Sequence, residues 1–323
     1  MGVALLPVLL AATVLLPDLV ALDRWLPFAV TVALRPALTA ATAVLVLLLV
    51  LWRRRRGTSP RRAGTVALAG VAVVVGVAAA LVVPRAVAAD PPPPGGTPLT
   101  VLSFNALEGR ADVAALADLV RRERPDLVVL PEAGDRFRSR VAALLPEYRS
   151  WSNVPPGVRD VRGITVLAGP RAGDVTARTV SEPPGSPGDT RYPWAELTGG
   201  ILGPVRLGAV HVVSIVPEWI GYWPGELALL QRWCAPAAGP ALVVGDLNAT
   251  PDHSAFRAGT RGCADAATER GAGLRGTWPS SWPPAVAAPI DHVLTANGPR
   301  VREVAVADVP GSDHRALVVR LRR

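Results

Sequence analysis

Hydrophobic and polar positions divide this chain into two unlike parts near residue 90. Up to residue 89 the residues are almost all Ala, Val, Leu, Pro and Arg, with apolar runs over about 3–22, 28–51 and 65–83. A helix needs about 20 apolar residues to cross a hydrocarbon core. The second and third runs meet that length. The first is interrupted by Pro7, Pro17 and Asp18. A cleaved signal peptide is the other reading of it, although a basic n-region is missing. The pattern predicts a membrane region with three transmembrane helices over 1–89. Asp23, Arg24 and Trp25 would form a short outer turn, and Arg35 would snorkel to an interface.

Arg53–Arg56, Arg61 and Arg62 lie between the second and third runs. Cytoplasmic loops concentrate such charge. The third span therefore leads outward, and the rest of the chain is expected outside a cell membrane that it crosses several times. Asp90, Pro91–Pro94, Gly95 and Gly96 read as a semi-rigid linker over 90–98, holding the domain away from the bilayer.

From residue 99 the periodicity changes. Short apolar runs at 99–104, 126–130, 164–167, 205–213, 241–244, 290–294, 301–306 and 316–321 read as strands. Residues 110–124 place Val113, Leu116, Leu119 and Val120 on one helical face, and 226–233 also suits a helix. Strands interleaved with helices predict an α/β catalytic domain over 99–323.

The net charge of +8 belongs almost wholly to the first part, where nine Arg face only Asp18 and Asp23. The remainder, with 25 Arg against 24 acids, lacks the basic excess of a general nucleic-acid binder. Cys234 and Cys263 form no C-x-x-C pair, which argues against a zinc or thioredoxin-like site. They could form a disulfide in an oxidising compartment or sit unpaired in the core.

Polar residues recur where the predicted strands end. Phe-Asn (104–105), Pro-Glu (131–132), Val-His (210–211), Gly-Asp-Leu-Asn (245–248), Ile-Asp-His (290–292) and Ser-Asp-His (312–314) occur in that order. Through these motifs the region 99–323 resembles the endonuclease/exonuclease/phosphatase (DNase I-like) superfamily. The resemblance implies a four-layered α/β sandwich, with two mixed β-sheets face to face and helices outside. It also implies a Mg²⁺- or Mn²⁺-dependent phosphoric ester hydrolase. Glu132 would be the main metal ligand, with Asn105 and Asp313 assisting. His211, Asp246, Asn248, Asp291, Asp313 and His314 would form the catalytic set. In it Asp246 would orient or deprotonate water, Asn248 would donate to a phosphate oxygen, and His211 would protonate a leaving oxygen. Asp291 would orient a neighbouring histidine, and His314 would act at the scissile phosphate.

Strand alternation turns His292 away from Asp291, and His253 is expected at the surface. Arg162 could contact phosphate or be solvated. Trp219, Tyr222 and Trp223 could rest on lipid headgroups or simply pack. The layout is similar to actinobacterial membrane proteins of this superfamily linked to teicoplanin resistance. That similarity implies a phospholipid or polyprenyl-phosphate substrate, such as an undecaprenyl cell-wall intermediate. An extracytoplasmic nuclease acting on nucleic acid and a catalytically inert receptor or scaffold are the alternatives.

Overall fold

The computed structural model describes residues 2–56, 62–180 and 193–323. Arg61 of the expected cytoplasmic loop lies outside them. The strands are β1 (Pro98–Ser103), β2 (Leu127–Pro131), β3 (Arg149–Ser152), β4 (Ile164–Ala168), β5 (Val175–Val180), β6 (Trp194–Gly199), β7 (Arg206–His211), β8 (Ala241–Asp246), β9 (Ala264–Asp265), β10 (Asp291–Ala296), β11 (Arg300–Asp308) and β12 (Arg315–Arg322). They form two sheets, ordered β11-β12-β1-β2-β4-β3 and β5-β6-β7-β8-β10-β9.

Each sheet has the same heart. A parallel pair, β1–β2 in one and β7–β8 in the other, is flanked by antiparallel strands. Side chains alternate across each strand. Leu127 and Val129 of β2 therefore face the core between the sheets, while Val128 and Leu130 face an outer layer. That layer is α5 (Val113–Glu123) and α6 (Asp135–Leu144), through Leu116, Val120, Phe137 and Val141. Asp112 caps α5 by accepting from the amides of Ala114 and Ala115, which satisfies two otherwise orphaned donors. The second sheet is covered by α7 (Trp223–Ala228) and α8 (Gln231–Cys234), with α9 (Ser254–Gly259) and α10 (Ala266–Glu269) beside it. The result is the expected α/β sandwich. Cys234 and Cys263 are joined in a disulfide, their Cα atoms 4.9 Å apart.

The N-terminal part comprises α1 (Gly2–Leu15), α2 (Phe28–Ala33), α3 (Arg35–Arg55) and α4 (Arg62–Val82). Among the described residues two helices, α3 and the α4 segment continuing to Ala86, are long and apolar enough to cross a membrane. The expected first span is shorter than predicted. At 14 residues α1 extends about 21 Å, less than a hydrocarbon core. It packs along α4 through Leu15, Val74 and Ala78.

The predicted stalk does not separate the two parts. Asp252, just after β8, accepts from Arg35 at 2.8 Å and from Arg85 at 2.7 Å, all three side chains being buried. Arg35 also pairs with Asp18, which is bridged to Arg257 at 2.7 Å. Asp23 accepts from the Ser254 amide and hydroxyl. Arg35 is thus no snorkelling residue. A guanidinium buried this deep needs the carboxylate that the other part supplies. His253 is likewise not at the surface. It is fully buried, with Nε2 2.9 Å from the carbonyl of Ala29 in α2 and its ring edge-on to Trp223. Ala88 and Ala89 pair with Arg270 and Glu269, so the chain is already docked before the linker begins.

Candidate active site

Antiparallel and parallel pairing together bring six strand ends to one edge of the sandwich. Strands β1, β2, β7 and β8 arrive with their carboxyl ends, and β10 and β12 leave with their amino ends. His211 and Asp246 close β7 and β8 side by side, and Asp291 opens β10 directly opposite Asp246. Asn105, Glu132 and His314 sit just beyond β1, β2 and β12.

The side chains converge. Asn105 Nδ2 donates to Glu132 Oε1 at 3.0 Å and to Asp246 Oδ2 at 2.9 Å, tying the two sheets together. His211 Nε2 lies 3.7 Å from Glu132 Oε1 and 4.0 Å from Asp246 Oδ2. His314 Nδ1 donates to Asp291 Oδ2 at 2.9 Å. Its Nε2 faces Asp246 Oδ2 at 3.7 Å and Asp313 Oδ1 at 3.9 Å. The Asn248 amide donates to Asp246 Oδ1, and its side-chain nitrogen to the Val212 carbonyl, both at 2.8 Å. All eight sequence-predicted residues therefore share one cleft.

Local backbone explains how they are aimed. Glu132 and Asn248 both adopt left-handed conformations, φ 56° and 45°, a strained choice of the kind that clusters at functional sites. Gly245 has φ 145°, and a Cβ there would lie 1.9 Å from the Val210 carbonyl oxygen. Only glycine lets β8 approach β7 closely enough to set Asp246 beside His211.

Burial dominates the electrostatics. It raises the pKa of the Asp246 carboxyl, and the neighbouring Asp291 raises it further. Burial lowers that of His211, against the pull of Glu132. Burial also opposes charge on His314, but Asp291 and Asp246 outweigh it and raise its pKa. The two imidazoles are thus pushed in opposite directions, His211 toward the neutral form and His314 toward the charged one.

The donor set fits a divalent cation. Asp246, Asp291 and His314 each offer a ligand atom, all within 4.8 Å of one another. Asp291 Oδ1 and Asp313 Oδ1 are buried oxygens that accept no hydrogen bond. Hard oxygens left unsatisfied suit such an ion. This grouping differs from the expected Asn105, Glu132 and Asp313, although both sets open on the same space.

Sequence reasoning missed the residues that hold the site residues. Trp278 Nε1 donates to Asp313 Oδ2 at 2.9 Å. Thr277 Oγ1 accepts from the Ile290 and Asp291 amides, and Ser312 Oγ donates to the Asn105 carbonyl. Two Trp-Pro steps within 277–284 are a visible signal, but nothing local ties them to Asp313. His292 turns away as alternation predicts, to Asp265 at 2.6 Å. Arg162 is exposed. Trp223 is buried and donates to the Asn248 carbonyl, and Trp219 and Tyr222 pack on the core, so that loop follows the packing alternative.

The profile of the Endonuclease/Exonuclease/phosphatase family matches residues 102–314. The chain belongs to this family. The match starts in β1 and ends at His314, enclosing every site residue. Solved structures of the same fold include truncated Caenorhabditis elegans TDP2, at 19% identity and TM-score 0.54 over 70% of this chain and 98% of that one. Humanized D. rerio TDP2 gives 16% and 0.54 over 70% and 99%. The endonuclease/exonuclease/phosphatase from Bacteroides vulgatus gives 18% and 0.53 over 70% and 98%. No curated protein sequence matches the chain. As an endonuclease/exonuclease/phosphatase protein it is of phosphoesterase or nuclease kind.

Proposed function

We propose that the chain is a membrane-anchored, divalent-metal-dependent phosphoesterase, acting outside the cytoplasmic membrane on a phosphate or pyrophosphate carried by a lipid. An undecaprenyl cell-wall intermediate fits that description. The supporting observation is the buried Arg35–Asp252–Arg85 cluster, which fixes the catalytic domain against the apolar helices. Helix α3 is 21 residues long, about 32 Å, and runs from Arg35 at the domain to Arg53–Arg55 at its far end. Such a length matches one hydrocarbon core, and an arginine cluster marks the cytoplasmic side. The domain at the other end is then extracytoplasmic, where the Cys234–Cys263 disulfide would persist.

Glu132, Asn105 and Asp313, with Asp246 and Asp291 adjoining, would hold Mg²⁺ or Mn²⁺; the bound ion would offset charge on the phosphate. The chain's own groups do the rest. Asp246 orients the attacking water, Asn248 directs an N–H at a phosphate oxygen, and His314, held by Asp291, protonates the departing oxygen. His211 supplies a second proton-exchanging group. Phosphoryl transfer asks mainly for such positioning.

Phosphate release by the full-length protein tests this, on undecaprenyl pyrophosphate, phosphatidic acid and plasmid DNA, with Mg²⁺ and with EDTA. Metal-dependent release from the lipids, lost in Asp246→Asn, is expected. Selective DNA cleavage would assign the nuclease alternative instead, and no activity on any substrate would favour the inert scaffold.

A further inference from the structure

An apolar pocket of about 300 Å³ opens beside the catalytic cleft. Its walls come from both halves of the chain. Helix α2 contributes Val30 and Ala33, at i and i+3 on one face, and Leu34 follows at its C-terminal end. The catalytic domain contributes Ile215, Trp278, Trp282 and Asn248. Val30, Trp278 and Trp282 are each 40–45% exposed, although side chains of this size are ordinarily covered.

Two contacts tie this pocket to the chemistry. Asn248, on its wall, donates its amide to Asp246. Trp278, also on its wall, donates to Asp313. A molecule whose phosphate lay among Asp246, His314 and Asn248 would have its adjoining carbons against Trp278 and Ile215.

Resting on the proposed lipid-phosphate reading, we infer that this pocket seats the first segment of the substrate's hydrocarbon chain, next to the phosphate. It is therefore the element that selects long-chain over short-chain phosphates. Its volume sits at the lower end of the roughly 300–1,000 Å³ range of small-molecule pockets. It holds the beginning of a chain and not a whole lipid tail. The remainder would leave past Val30, toward the apolar helices that continue from α2. Helix α2 docks through Ala29 and Val32, both fully buried, and turns Val30, 45% exposed, to the pocket. A catalytic domain without α1–α4 would lack the wall formed by Val30, Ala33 and Leu34. Each methylene that enters should raise affinity about fourfold.

Full-length protein in detergent, given isopentenyl, farnesyl and undecaprenyl diphosphate and, separately, phosphatidic acid, tests this. The kcat/KM for farnesyl over isopentenyl diphosphate is expected to exceed tenfold. Ala33→Trp, which fills the pocket, should cut that ratio at least tenfold, mainly through KM. Trp282→Gln, at an exposed position, should cut it severalfold and serves if Ala33→Trp does not fold. A farnesyl diphosphate analogue carrying a photoreactive diazirine should label peptides containing 28–34 or 278–288, with unlabelled farnesyl diphosphate competing. The same variant sensitivity with phosphatidic acid alone would keep the pocket and assign it an acyl chain. Hydrolysis of lipid phosphates at a ratio that neither variant moves would overturn the pocket while leaving the proposed function intact. Cleavage of a soluble phosphodiester with no lipid phosphate hydrolysed would overturn both.

Discussion

Arg35 and Asp252, 217 positions apart in the chain, meet at 2.8 Å, both buried. The second oxygen of the same carboxylate accepts from Arg85. One acid therefore neutralises cations from α3 and from the turn after α4, and it joins the apolar helices to the loop following β8. Removing it leaves Arg85 buried without its carboxylate and Arg35 with Asp18 alone. Asp252→Asn should destabilise the full-length protein by about 3–5 kcal/mol, a fall of roughly 6–15 °C in Tm. Thermal unfolding in detergent measures this, and a shift under about 2 °C would contradict a stabilising cluster.

His253 gives the same interface a pH dependence. Burial lowers its pKa below the unfolded value of about 6.5, so the unfolded chain takes up the proton first as pH falls. Stability from this residue is complete above pH ~6.5 and is lost below it, by at most about 1.4 kcal/mol per pH unit. Denaturant unfolding of the wild type from about pH 7.5 to about pH 5.5, one unit either side of that unfolded value, should show a steeper acid loss than His253→Gln. Equal slopes would remove His253 from the account.

The Cys234–Cys263 bond closes a loop with a sequence separation of 29, for which chain entropy gives about 3–4 kcal/mol. A Cys234→Ser/Cys263→Ser variant should unfold at correspondingly lower denaturant. Reductant should lower the wild-type midpoint and leave the variant's unchanged.

Asp291→Asn keeps the size of the side chain but takes from His314 the carboxylate that orients and charges it. We expect kcat to fall about 10²–10⁴-fold with the fold intact by circular dichroism. A loss below fivefold would mean that His314 works without this partner.

Trp278→Phe separates two duties of one side chain. It keeps an aromatic pocket wall and deletes the indole N–H that Asp313 accepts. Activity should drop about tenfold alike on short- and long-chain diphosphates, the size of one lost hydrogen bond to a charged group. A drop confined to long chains would put Trp278 in the pocket alone.

The sandwich was legible in the sequence because strands buried on both faces read as short apolar runs, and the site because its residues follow those runs directly. The β5–β6 hairpin and α6 escaped. The β5 sequence VTARTV has only its end positions buried, and α6 carries Arg136, Arg138 and Arg140 in ten residues. Neither contrasts sharply with a loop.

Read alone, the chain determined which residues could do chemistry and that its first 89 positions seek an apolar setting; both depend on residue type and short-range order. Only the tertiary structure decided that Arg35, Asp18 and Asp23 are buried against Asp252, Arg257 and Ser254, that His253 meets Ala29, and that Trp278 holds Asp313. Such pairings form between segments far apart in sequence. A buried charge is stable only where folding brings its partner, and local periodicity carries no trace of that partner's position.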